Sequence, residues 1–92
     1  MVTVIARLPV ADFDTWHAEY ERMHPVREQQ GERGRRLYRD LDDPNTIVVV
    51  FDWDTVESAR GYFGSDELRA SVERAHGCAP PTVHYLTEHG GD

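Results

Sequence analysis

Five histidines in a chain of 92 residues that has one cysteine and no lysine make imidazole the first side chain to consider for proton transfer near neutral pH. His17 and His24 stand seven residues apart with Glu21 between them, beside a stretch where Phe13, Trp16, Tyr20 and Met23 recur at helical spacing. The three polar side chains could share one wall of a cavity. Positions i and i+7 are separated by about 10.5 Å of helix rise, too far for one metal ion without Glu21 and a bend, so acid–base work is the preferred reading and no metal site is assigned. His84 alternates with Val83 and Tyr85, which predicts enclosure on one side. For His17, His24 and His84 alike the alternative is an inert histidine, either exposed on a helix or hydrogen-bonded in a core. His76 and His89 serve as controls.

Flat side chains with polar tips suit a planar aromatic ligand, and Trp16, Tyr20, Tyr38, Trp53, Tyr62, Phe63 and Tyr85 supply them. Core packing is the competing reading, favoured for Trp16 and Phe63; Tyr38 and Tyr85 are the better pocket candidates. Arg33, Arg35, Arg36 and Arg39 form a basic concentration able to grip a carboxylate or enolate, although solvated positions explain most of it. Arg7, within a strand, is the arginine to test first.

These groups need elements to position them. Val2 to Leu8 alternates as a strand that Pro9 ends, and the period becomes helical from Asp12, with Pro25 forcing a kink or restart before Gly31. Arg35 to Leu41 reads as a second strand, Asp42-Asp43-Pro44-Asn45 as a turn, and Thr46 to Trp53 as a third strand. Thr55 caps a helix that Gly64 interrupts, Ser65 starts another, Gly77 to Pro81 is a loop, and Thr82 to Glu88 is the last strand. The order β-α-β-β-α-β is the split βαβ, ferredoxin-like α+β arrangement with an antiparallel sheet. Residues 1–89 are expected to form the domain and 90–92 a flexible tail.

Ile47-Val48-Val49-Val50-Phe51 has no polar face, the mark of a strand covered on both sides of its sheet. Two helical segments cover one face. A second copy of the chain is expected to cover the other, giving a homodimer.

Composition narrows the partners. Asp and Glu total 17 against 10 basic residues, all arginine, for a net charge of −7, which argues against nucleic acid. No apolar run approaches the ~20 residues of a membrane span, and no leader or anchor is read, so no membrane partner is expected. The single Cys78 has no partner for a disulfide and reads as a small apolar filler in a loop, which fits a cytoplasmic location.

The segments "VTVIARLPVADFDTW", "PVREQQGERG", "RDLDDPN", "VVVFDWD", "SDELRASVERA" and "PPTVHYL" resemble, across nearly the whole chain, the dimeric α+β barrel superfamily of antibiotic biosynthesis monooxygenases and related cyclases. The resemblance implies two ferredoxin-like subunits forming a barrel, and a pocket between the helices and the sheet of each. Members named for cofactor-free oxidation of quinol-like polyketides, for haem degradation and for ring-forming steps share the scaffold. Haem-degrading relatives use a helix histidine supported by Asn and Trp; here His76 falls near the end of the last helix, and Asn45 lies in the hairpin turn.

The reading that follows is a small-molecule enzyme, without a bound cofactor, acting on an aromatic or polyketide-like ligand as monooxygenase, cyclase or isomerase. His17, His24 and His84 would be its acid–base groups. Arg7, Trp16, Tyr20, Tyr38, Trp53, Tyr62 and Tyr85 would contact the substrate. The alternatives are a non-catalytic ligand-binding or stress-response dimer and a haem- or metal-binding protein.

Overall fold

A computed structural model describes residues 1–75 and 79–90. The readings of His76 and Cys78 and of the last two residues of the tail lie outside the described residues. The elements run β1 (Val2–Pro9), α1 (Phe13–Arg22), α2 (His24–Gln30), β2 (Glu32–Arg39), β3 (Thr46–Trp53), α3 (Val56–Phe63), α4 (Asp66–Arg74) and β4 (Thr82–Leu86). All pairings are antiparallel and the strand order is β2-β3-β1-β4, the ferredoxin-like sheet.

Local chemistry sets the helix ends. Asp12 accepts from the Thr15 amide, Thr55 from the Ser58 amide and Ser65 from the Leu68 amide, so α1, α3 and α4 each begin on a side-chain cap. Pro25 sits in the first turn of α2, where its missing N–H costs nothing, and Met23 ends α1 just before it. The chain breaks there into two helices. Gly31 closes α2 at φ 119°, a left-handed conformation that also brings it close to Trp53.

Two strand boundaries differ from the sequence expectation. β2 ends at Arg39 and not at Leu41, because the Asp40 carboxylate accepts from the amides of Asp42 and Asp43 and starts the turn early, leaving Leu41 fully exposed. Its start moves forward to Glu32, whose side chain is anchored in the interior. β4 stops at Leu86 and not at Glu88, its pairing with β1 ending at Thr3–Leu86, one residue short of the start of β1 at Val2.

Register assigns the faces. Val4, Ala6 and Leu8 of β1 pair around Ile47, Val49, Phe51 and Trp53 of β3, and all are buried under the helices. The opposite face carries Thr3, Ile5, Arg7, Val48, Val50, Tyr38 and His84, with no helix on it. At 17 Å, the thinnest dimension of the molecule has room for one sheet and one helical layer.

Candidate functional site in the cleft between helices and sheet

The cleft forms where the helical layer stands off the sheet. Ala6, Leu8, Val49 and Phe51 make its floor; Trp16, Tyr20 and Met23 make one wall; Tyr62, Phe63, Leu68 and Val72 make the other. It is a half-open cleft with about 60 Å³ of room for the centres of water-sized spheres. Trp16 and Tyr20 stack at 4.9 Å between ring centroids, and Phe63 packs against Phe51 at 5.8 Å, so much of the lining is flat aromatic surface.

Glu19 joins α1 to α4 beside the cleft. It accepts from Ser71 Oγ at 2.9 Å and Arg74 Nε at 3.1 Å on α4, and from Arg22 Nε at 3.0 Å on its own helix. With both oxygens so occupied, it serves as a tie between helices.

Arg27 is the cation of a buried charged pair whose anion is Glu32. It follows Met23 by four residues and so continues the stripe of Phe13, Trp16, Tyr20 and Met23 inward across the α1–α2 break; it is 2% exposed. Its Nε donates to Glu32 Oε1 at 2.6 Å, and its Nη1 donates to the Tyr20 carbonyl at 3.0 Å. Its guanidinium lies 4.4 Å from the Tyr20 ring centre. Among the described residues neither Nη2 nor the Tyr20 hydroxyl makes a hydrogen bond of good geometry, although both atoms are buried and both residues line the cleft; Arg27 has the Tyr62 hydroxyl as a polar neighbour, and Tyr20 has Arg35. Buried donors are normally satisfied, and an exception of this kind marks a place where a ligand atom or a water can complete the set.

Burial raises the pKa of Tyr20 and of Tyr62 above the ordinary phenol value, and the nearby Arg27 charge opposes that rise in both. Both phenols therefore stay protonated across the neutral range and can donate. Arg27, Tyr20 and Tyr62 together offer donors to an anionic or strongly polarised oxygen inside an otherwise apolar cleft.

Of the expected substrate contacts, Trp16, Tyr20 and Tyr62 line this cleft. Phe63 lines it as well, and the core packing expected at Trp16 and Phe63 coexists with that wall position, Trp16 being part of the buried core and Phe63 packed against it. Trp53 is sealed in the core at 0% exposure, its Nε1 donating to the Gln30 carbonyl at 3.0 Å. Tyr85 lies on the helix side of β4, covered by the Arg60 guanidinium at 4.3 Å, and burial raises its pKa too. Arg7, Tyr38 and His84 project from the opposite face of the sheet, because register places them with Ile5, Val48 and Val50. His84 is exposed there, against the expected enclosure, since none of the described helices lies on that face.

The other two expected acid–base groups also stand outside the cleft lining. His17 stacks on Phe13 at 5.3 Å and faces Glu21 at 3.4 Å on the outer side of α1. His24 is bonded to Arg35 and faces Glu28 and Glu32. Among the described residues no group of three or more His, Cys, Asp or Glu side chains could hold a metal ion, and no helix is long and apolar enough to cross a membrane. Sequence reasoning passed over Arg27 and Glu32. The signal was present: an arginine at the next position of an apolar helical stripe needs a buried counter-ion, and Glu32 follows five residues on.

Residues 1–74 match the family model described as antibiotic biosynthesis monooxygenase. The chain belongs to that family. Solved structures with the same fold include SnoaB, a cofactor-independent oxygenase from Streptomyces nogalater, at 16% identity over 98% of this chain and 94% of that one, with a TM-score of 0.77. A monooxygenase from the gene ActVA-Orf6 of Streptomyces coelicolor, in complex with the ligand nanaomycin D, aligns at 23% identity over 99% of this chain and 89% of that one, with a TM-score of 0.69. At such identities the likeness to these family structures is one of fold. No curated protein sequence matches the chain significantly.

Proposed function

We propose that this chain is an oxygenase of planar phenol- or quinol-type aromatic compounds, working in the cleft without a bound redox cofactor. The observation that carries the reading is the pairing of aromatic walls with two buried, unpartnered donors, Arg27 Nη2 and the Tyr20 hydroxyl. Membership of the monooxygenase family supports it, as do structural neighbours named as a cofactor-independent oxygenase and as a monooxygenase holding a ligand.

In this account a substrate ring lies between Trp16 and Phe63 and places its ionising oxygen against Arg27, Tyr20 and Tyr62. Charge on that oxygen is held by donors fixed before the substrate arrives, which is the electrostatic form of catalysis. Loss of the proton makes the ring electron-rich enough to pass electrons to dioxygen. At a ring methylene the balance is CH₂ plus O₂ giving C=O plus H₂O: one oxygen atom bonds to carbon and the other leaves as water. In this account the donor set stabilises the oxyanion and solvent at the cleft opening receives the proton, in place of the acid–base role expected of His17, His24 and His84.

The test is oxygen uptake with 1,8-dihydroxyanthrone and a panel of naphthoquinols. Uptake accelerated by the protein, one O₂ per ketone formed, and slowed about 10²-fold by Tyr20→Phe is the expected result. Absence of acceleration across the panel overturns the oxygenase reading, and retained binding in that case favours a non-catalytic ligand carrier.

The open face of the sheet supports a second inference, that the working form is a homodimer. Ile5, Val48 and Val50 are half-buried there within one subunit, and Tyr38 and Leu86 are exposed beside them. An apolar sheet face of this extent calls for a partner layer, and a second copy supplies one by twofold symmetry.

A further inference from the structure

Glu32 faces two ways. One carboxylate oxygen, Oε1, holds Arg27 beside the cleft, while the other, Oε2, faces His24 Nε2 at 3.6 Å and Arg35 Nη1 at 3.5 Å toward the surface. His24 Nε2 also lies 2.8 Å from Arg35 Nη1. A guanidinium has no lone pair to offer, so Nε2 must be the acceptor and the imidazole neutral, with its proton on Nδ1. The arrangement is therefore the unprotonated state of a pair that has a second one.

A proton on Nε2 ends the bond from Arg35 and leaves the ring able to donate to Glu32 Oε2 or to Glu28 Oε1, the latter at 3.7 Å. Arg35 keeps a place to go, since Glu21 Oε2 on α1 lies 3.7 Å from its Nη2, and Glu21 in turn faces His17. Among the described residues the charged and titratable groups around His24 are thus Glu28 on its own helix, Glu32 and Arg35 on β2, and, through Arg35, Glu21 and His17 on α1. Arg27 lies behind Glu32.

We propose that His24 is a positioning residue for the cleft, setting through Glu32 how much of the Arg27 charge is left for an anionic ligand. The proposal rests on the reading of the cleft as a small-molecule site whose cation is Arg27. With His24 neutral, Glu32 shares its charge between Arg27 and Arg35. With His24 protonated, a further positive charge faces Oε2, Glu32 is more fully neutralised from outside, and Arg27 attracts an anion more strongly. Anion affinity therefore falls as His24 loses its proton, which an assay from about pH 5 to 8 follows.

The probe is 1-anilinonaphthalene-8-sulfonate, an aromatic anion whose charge does not change over that range and whose fluorescence reports transfer to an apolar site. Wild-type protein should bind it about fivefold more tightly at the acid end than at the alkaline end, a coupling at the low end of what linked sites show. His24→Gln, which keeps a hydrogen-bonding side chain and cannot charge, should flatten the profile, while His17→Gln should preserve it. The double variant Arg27→Met/Glu32→Leu replaces the buried pair by apolar groups, a change such sites often tolerate, and should both weaken binding and abolish the pH dependence. A His24→Gln profile parallel to wild type overturns the positioning role and leaves the cleft reading standing. Wild-type binding by the double variant shows that the dye sits elsewhere and overturns the cleft reading itself.

Discussion

Arg27 brings a positive charge into an interior built mainly of aliphatic and aromatic side chains, and the polarity of the cleft depends on how Glu32 offsets it. Removing one member of a buried pair leaves the other uncompensated, at a cost of about 3–5 kcal/mol, whereas replacing both by apolar groups is often neutral. Arg27→Ala should lower the stability measured by urea unfolding by that amount, and Arg27→Met/Glu32→Leu should restore most of it. The buried tyrosines give a prediction in pH. Their folded pKa values are raised by burial, so the neutral phenols contribute stability that is fully present below the unfolded value of about 10 and is lost as pH rises through the folded values. Alkaline unfolding should therefore set in above about pH 10, and a Tyr20→Phe/Tyr62→Phe double variant should move it higher; an unchanged midpoint would remove these two residues from the account. At this scale the sequence was legible in part. Tyr20 and Tyr62 line the cleft while Arg7, Tyr38 and His84 stand on the other face of the sheet, because alternation within a strand assigns residues to faces without saying which face the helices cover.

Helices α1 and α4 meet the sheet at the two sides of the cleft, and Glu19 ties them through Ser71 and Arg74. Glu19→Ala should cost about 1–2 kcal/mol, since one partly buried acceptor serves three donors, and should speed ligand exchange measured by stopped-flow dye release. Gly31 carries a sharper constraint. A Cβ there would meet Trp53 Nε1 at 2.9 Å and Ser58 Oγ at 3.0 Å, at a positive φ that L residues avoid. Gly31→Ala should destabilise by more than about 1 kcal/mol and disturb the indole hydrogen bond to Gln30, visible as a shift in the Trp53 side-chain N–H resonance. The elements themselves were readable because their signals are local: side-chain caps at Asp12, Thr55 and Ser65, the Pro25 break, and the Thr46–Trp53 strand with both its ends. The β2 and β4 ends were not, since one depends on the Asp40 carboxylate bonding to two amides and the other on where pairing with β1 stops.

For the whole molecule, one layer of helices on one face of the sheet leaves Ile5, Val48 and Val50 looking outward, so twofold association should give sedimentation near twice 10.6 kDa at micromolar concentration. Val50→Glu, which places a charge in the middle of that face, should shift the protein toward monomer while leaving the helix-side cleft folded. The two-sided apolar pattern of β3 was the part of the architecture most plainly legible in the sequence; the pocket between helices and sheet was expected only from the family resemblance, because the space between α1 and α4 depends on helix spacing that no local pattern encodes. The most direct test of the account is amide chemical-shift mapping during titration with 1,8-dihydroxyanthraquinone, a stable planar analogue of the expected product. The account predicts perturbations at Ala6, Tyr20, Arg27, Tyr62 and Val72 around the cleft, with those at Ile5, Val48 and His84 unmoved; perturbations confined to Ile5, Val48 and His84 would contradict it.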